Sequence, residues 1–425
     1  MEGSRSKITS VVVIVFFIVV ALLPLSPVTA AGGPSLTPDD IRAAYDVDPL
    51  IQAGYTGKGV TVAIVEPGIG PTFYSDVEAF SREYGLPPAS ISWVAPNGVE
   101  GKLTNAPHSG SGELTGDVEL VHAMAPDAKI LLVLSVLGEP YVIEHNAAAI
   151  VTASWGSSYS DNGDGSAALK AETFNDELAM SVSEHITLID ASGDGGTNTG
   201  FEGCTNSSPP CVYTVPAYNP WITFVGGTEL EVNPYNETAW DGSGGGVSTL
   251  FPEPTWQNGV FGVPQNGRRN MPDIALAACD PGYAFYYNNS QSTTCGTSDS
   301  APTFAGIIAD IDQAAGRRVG FLNPTLYSLA ASDPSVFHEI TSGCTLVGTS
   351  KKGPNAKTGY CAHAGWNFVA GLGSIDAARL ALYFAPSAHI VPEAPNGEPA
   401  SLALTSVTAV ALLVLRNRNT RFISV

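Results

Sequence analysis

The run VTVAIVE (60–66) is apolar and β-branched until it closes on a single acid, Glu66, and it has four companions along the chain. These are KILLVLS (129–135), IVTASWG (150–156), ITLIDAS (186–192) and WITFVGGT (221–228). Each is short, and none alternates cleanly between apolar and polar residues, so each reads as a strand buried on both faces. Helical patterns alternate with them near 76–85, 113–124, 166–184, 301–315 and 374–384. Short buried strands separated by helices predict an α/β fold, a mostly parallel central sheet with helices on both faces. Reactive groups in such sheets collect beyond the carboxyl ends of the strands. Glu66, Trp155 and Asp194 all fall at such ends.

The 425 residues suffice for one large domain, and no internal linker interrupts the pattern between 32 and 386. Arg5 and Lys7 precede the apolar run 11–23 and small residues at Ala30 and Ala31, so residues 1–31 read as a secretory signal. At the other end a Pro-rich tether (387–399) leads to an apolar run (400–415) and a basic tail (416–425). That order predicts a C-terminal transmembrane anchor, with the domain extracellular, at the cell surface, and the tail cytoplasmic. The net charge is −21, and without the two ends the domain is more acidic still. Such a surface excludes nucleic acid as a partner and suits an acidic medium, where much of the charge is neutralised. Six cysteines in an exported chain predict disulfides, and local spacing favours Cys204–Cys211, Cys279–Cys295 and Cys344–Cys361. Asn206, Asn236 and Asn288 begin glycosylation tripeptides.

The chemistry is concentrated in GELTGDVELVHAMAP (112–126). At about 100° per residue, Glu113 and Asp117 continue the apolar stripe of Leu120, Val121 and Met124, while Thr115, Glu119 and His122 point away. Two acids one turn apart on a buried stripe must share protons, which raises at least one pKa. Far downstream, GTSDSAP (296–302) reads as a tight turn opening a helix and offers Ser298 as a nucleophile. A serine needs a base. None of the seven histidines stands in a segment suited to that role, and His108 and His122 read as surface residues. Glu113 is then the base, polarised by Asp117. Asp194, in DASGDGGTNTG (190–200), is either a turn aspartate or, if protonated, an oxyanion donor.

These segments resemble the sedolisins, the serine-carboxyl peptidases with a subtilisin-like fold. The resemblance runs through LTPDDIRAAYDV (36–47), GELTGDVELVHAMAPDAKI (112–130), SWG (154–156), ASGDGG (191–196), SGGGVSTLFPEPTWQ (243–257), MPDIA (271–275), CGTSDSAP (295–302) and GFLNPTLY (320–327). It implies an acid-acting endopeptidase on protein or peptide substrates. Ser298 would be the nucleophile, Glu113 and Asp117 the acid–base pair, and Asp194 the oxyanion residue. Glu66 and Trp155 would extend the acid network. It also implies a calcium (Ca2+) site, weakened here, on Glu339, Ile340, His363, Gly365 and Asn367, because Glu339 and Asn367 stand where the family has aspartates. The family's long pro-domain has no counterpart between residues 31 and 36, so activation is expected to differ. Three other readings stand beside this one: a histidine-based subtilisin, a tripeptidyl-type exopeptidase, and a catalytically silent binding protein on the same fold.

Overall fold

The computed structural model describes residues 35–96, 111–161, 165–197, 202–204, 211–232, 235–347 and 357–392. Thr61–Glu66 lies in the middle of an eight-stranded sheet. Lys129–Leu134 and then Ser90–Val94 pair on one side of it, all in parallel. On its other side come Ile150–Ala153, Thr187–Ala191 and Thr223–Val232, again parallel. Ile274–Ala277 adds to Thr223–Val232 in parallel and Tyr235–Ala239 adds antiparallel. The five expected strands are all present. Ser90–Val94 was not expected: its five residues stay partly exposed, so the apolar run that marks a central strand is missing.

The pleat sends alternate side chains to two cores. Ile64 and Ile189 face the helices Ser111–Met124 and Thr297–Ala315. Ala63, Val65, Val151 and Leu188 face Glu139–Glu144 and Ser166–Ala179. Phe304, Ile307, Ile308 and Ile311 of the Thr297–Ala315 helix are fully buried, and each side chain of this kind contributes roughly 1.5–3 kcal/mol. The remaining expected helices occupy Phe73–Glu83 and Ala377–Phe384. An unexpected helix, Pro38–Ala44, carries its own start signal. Thr37 accepts from the Asp40 amide, Asp40 accepts from the Thr37 amide, and Pro38 stands at the first turn.

The expected outward face of Ser111–Met124 does not exist. Thr115, Glu119 and His122 are buried at 1%, 0% and 0% exposure. The helix is covered on its far side by Phe73–Glu83 and by the hairpin Tyr283–Tyr287/Ser290–Thr294. Its polar residues mark a second packed face, each with a local partner: Glu119 accepts from the Tyr286 amide at 2.8 Å. Several motif residues serve the core likewise. Arg269, fully buried, donates to Asp273 at 2.6 Å and lies 4.9 Å from the Trp256 ring centroid, while Tyr327 donates to the other Asp273 oxygen at 2.8 Å.

Disulfides join Cys279 to Cys295 and Cys344 to Cys361 as expected, and backbone register sets Cys204 opposite Cys211. The signal segment, the apolar run 400–415 and the basic tail lie outside the described residues, as do His108 and Asn206. Among the described residues no helix is long and apolar enough to cross a membrane.

Candidate active site

The carboxyl ends of three adjacent strands and the amino end of one helix meet at a single rim. Thr61–Glu66 delivers Glu66, Ile150–Ala153 leads into Ser154 and Trp155, and Thr187–Ala191 leads into Asp194. Ser298 sits in the first turn of Thr297–Ala315, where backbone amides have no intrahelical acceptor and favour negative charge. The Ser111–Met124 helix packs against it and brings Glu113 and Asp117. The six residues singled out for this site are thus assembled in one place.

Desolvation pushes the Glu113 pKa up to about 7, against a smaller lowering by the neighbouring Ser298 hydroxyl. One Glu113 oxygen is buried without a hydrogen-bond partner. Asp117 lies deeper, 1% exposed, and its pKa is raised well above the usual range by burial and then by Glu66. Glu66 is fully buried, facing Asp117 and the Trp155 indole without a well-formed hydrogen bond, and its pKa is likewise raised by burial first and by Glu113 next. Three acids in a row, with no cation beside them among the described residues, can hold only part of their possible charge. They titrate as a unit.

Asp194 lines a cavity of about 460 Å³ that also reaches Ser298 and Trp155. The residue keeps exposed surface, while desolvation of its carboxyl by the surrounding protein raises its pKa. Both hydrogen bonds it accepts fall on one oxygen: the Thr297 amide donates to Oδ1 at 2.8 Å and the Thr297 hydroxyl at 2.9 Å. A proton on Asp194 therefore belongs on Oδ2. That oxygen lies against Gly296, where a Cβ would come within 2.7 Å of it. Thr297 is fixed in turn by accepting from the Gly193 amide at 2.9 Å.

Sequence reasoning missed two members. Ser154 reaches Asp117 Oδ2 at 3.4 Å and the Ser298 carbonyl at 3.3 Å, tying the acid pair to the serine turn. Asp299, 3% exposed, has one oxygen without a partner and a pKa raised by burial and then by Glu113, Asp117 and Asp194. An acid directly after the serine of GTSDSAP was the available signal. His122, read as a surface residue, is buried instead. Its Nε2 donates to the Pro87 carbonyl at 2.8 Å, which commits the ring elsewhere, and burial lowers its pKa.

The five residues expected to hold calcium do come together near the C-terminal end, but around a nitrogen. Asn367 Nδ2 approaches the carbonyls of Ile340 and His363 at 3.1 Å each and that of Gly365 at 3.4 Å. Asn367 Oδ1 accepts from the amides of Val369 and Ala370 at 3.2 and 3.0 Å. Those amides can only donate, which fixes the orientation of the side-chain amide. Glu339 accepts from the Gly365 amide at 2.7 Å. Calcium takes about six to eight oxygen ligands. Here the converging carbonyls already receive protons from Asn367, so the residues as folded do not fit the ion.

No family model matches the chain. Over 387 residues, 84% of its length, it is 33% identical to kumamolisin of Bacillus sp. (strain MN-32). It is 28% identical to sedolisin of Pseudomonas sp. (strain 101) over 81% of its length. The chain spans 65% of the first relative and 60% of the second. Among solved structures, Pseudomonas sedolisin, a serine-carboxyl proteinase complexed with pseudo-iodotyrostatin, superposes with a TM-score of 0.69. That match is at 26% identity and covers 84% of this chain and 100% of that one.

Proposed function

We propose that this chain is a serine-carboxyl endopeptidase of the sedolisin family that cleaves peptide bonds in acid, outside the cytoplasm. The observation that carries the reading is the placement of Ser298 between an acid able to take its proton and an acid able to give one. Ser298 Oγ attacks the scissile carbonyl while Glu113 accepts its proton. The oxyanion that forms takes a hydrogen bond from Asp194 Oδ2–H, since Oδ1 is already engaged by Thr297. Glu113 passes its proton to the leaving amine, which leaves an acyl-enzyme on Ser298. Water then repeats the sequence, with Glu113 as base and then acid. Asp117 and Glu66 hold Glu113 in place and share its charge. Two disulfides fit an oxidising compartment, in keeping with export.

The productive state has Glu113 ionised and Asp194 protonated. It peaks between the two pKa values whichever is lower, and it vanishes once both groups are ionised. Activity should therefore decline once pH has passed both the raised pKa of Glu113, about 7, and that of Asp194. The test is cleavage of an unfolded protein from pH 2 to 8 by the wild type, Ser298→Ala and Glu113→Gln. Acid activity lost by about 10⁴-fold or more in either variant supports the reading. An alkaline optimum, or full activity in Glu113→Gln, would move the base to another residue.

A further inference from the structure

In parallel register, Val65, Ala153, Asp190 and Phe224 form one row across four neighbouring strands of the sheet. They share a face, opposite to the one that carries Glu66. Three of the four are what a buried face requires, and Asp190 is not. It is 3% exposed, and its Oδ2 has no hydrogen-bond partner. No Lys, Arg or His among the described residues forms an ion pair with it. A second fully buried carboxyl, Glu139, begins the short helix over this face and presses on Asp190 electrostatically.

Asp190 also lines the cavity that opens beside Ser298. The cavity is lined by Ser298 and Asp194 and also by Ala153, Asp190, Phe224 and Met271. Its lining is mainly apolar, and Asp190 is the buried acid within it. A buried acid kept for structure is paired or fully hydrogen-bonded, and this one is neither. What it lacks is a cation, and the cavity gives a cation a way in.

We propose that Asp190, backed by Glu139, makes this cavity select an arginine or lysine side chain from the substrate residue whose carbonyl Ser298 attacks. The inference rests on the peptidase reading for its substrate and not for its pocket. The scissile carbonyl must lie between Ser298 and Asp194 Oδ2, and both residues line the cavity. The side chain entering is therefore that of the residue that becomes the acyl group. The methylenes of arginine or lysine suit the Phe224 and Met271 side chains, and the charged head reaches the Asp190 carboxyl. Entry of a cation also reverses the effect of burial and Glu139, which in its absence raise the Asp190 pKa. A site built around a buried charge discriminates strongly against side chains that leave it unpaired.

The test uses quenched peptides identical except for Arg, Lys, Gln, Glu or Leu at that position, with the wild type, Asp190→Asn and Asp190→Ser. The wild type should prefer Arg or Lys to Leu by about 10²-fold or more in kcat/KM. Both variants should collapse that ratio toward unity. Agmatine titrated calorimetrically into Ser298→Ala protein reads the pocket without catalysis, and its binding heat should disappear on adding Asp190→Asn. Ser298-dependent cleavage with a Leu, Gln or Glu preference, or a ratio unchanged in both variants, overturns the proposal and leaves the peptidase standing. Agmatine binding that depends on Asp190, with no peptide cleaved, supports the pocket and overturns the peptidase reading instead.

Discussion

Two polar clusters lie at opposite extremes of satisfaction in this molecule. Around Ser298, Glu66, Glu113 and Asp299 carry buried oxygens with no hydrogen-bond partner, and among the described residues no cation offsets them. Around Asn367, one neutral amide serves three carbonyls and two backbone amides. Leaving a buried polar atom unpaired costs about 1–3 kcal/mol, and a fold keeps such atoms only where something else needs them. The C-terminal cluster has been brought to rest, whereas the acid cluster has been kept under tension. On the proposed reading, that contrast separates a site that reacts from one that only holds the chain.

The largest expected effect concerns the whole fold. The pKa values of Glu113 and Asp312 are raised to about 7 and that of Glu119 to about 9, in each case first by burial. In the unfolded chain such groups titrate near 4. The folded chain therefore binds more protons between those limits, and stability falls with rising pH. The contribution is fully present below about pH 4 and lost as pH climbs through 7 toward 9. Calorimetric melting from pH 3 to 9 should show Tm declining across that window. A flat or rising Tm would mean that the buried acids are compensated, and the contrast would break.

Asp194→Asn is next. An asparagine can still donate to the oxyanion, but one side-chain atom must also accept from both Thr297 donors. A loss of about 10²–10³ in kcat is expected at the acid optimum. Asparagine does not ionise, so the fall in rate at high pH should shift to whatever group then limits. A pH profile of unchanged shape would show that Asp194 does not set that limb.

The third effect is smaller. Asn367→Asp places a carboxylate among three carbonyls and should destabilise the chain by about 1–3 kcal/mol in chelator. Added calcium should restore much of that, because the variant supplies the missing oxygen. The wild type should melt at the same temperature with chelator or calcium. A rise in wild-type Tm with calcium would show that Asn367 turns aside to admit the ion.

Much of this was readable in the sequence because burial leaves a compositional trace. Five uninterrupted apolar runs became five central strands, and Glu113 and Asp117 stood out because acids rarely continue an apolar stripe. The edge strand Ser90–Val94 left no such trace, since half-exposed strands mix residue types. Glu119 and His122 were misplaced for a related reason. Helical periodicity finds one buried face, and Ser111–Met124 has two, the second closed by a hairpin more than 150 residues away. Asp190 lay inside a run read correctly as a strand. Its significance depended on which neighbours the register set beside it, and sequence alone does not supply register.

Gly296 contributes no reactive atom, yet a methyl there would press on Asp194 Oδ2 at 2.7 Å and push that carboxyl from its place. The proposed reaction would therefore depend on a gap as much as on its four functional groups. Among descendants of this chain, a change at Gly296 would be as telling as one at Ser298. A catalogue that scores only nucleophiles and acids would list such a descendant as intact, although the room for its proton had been filled.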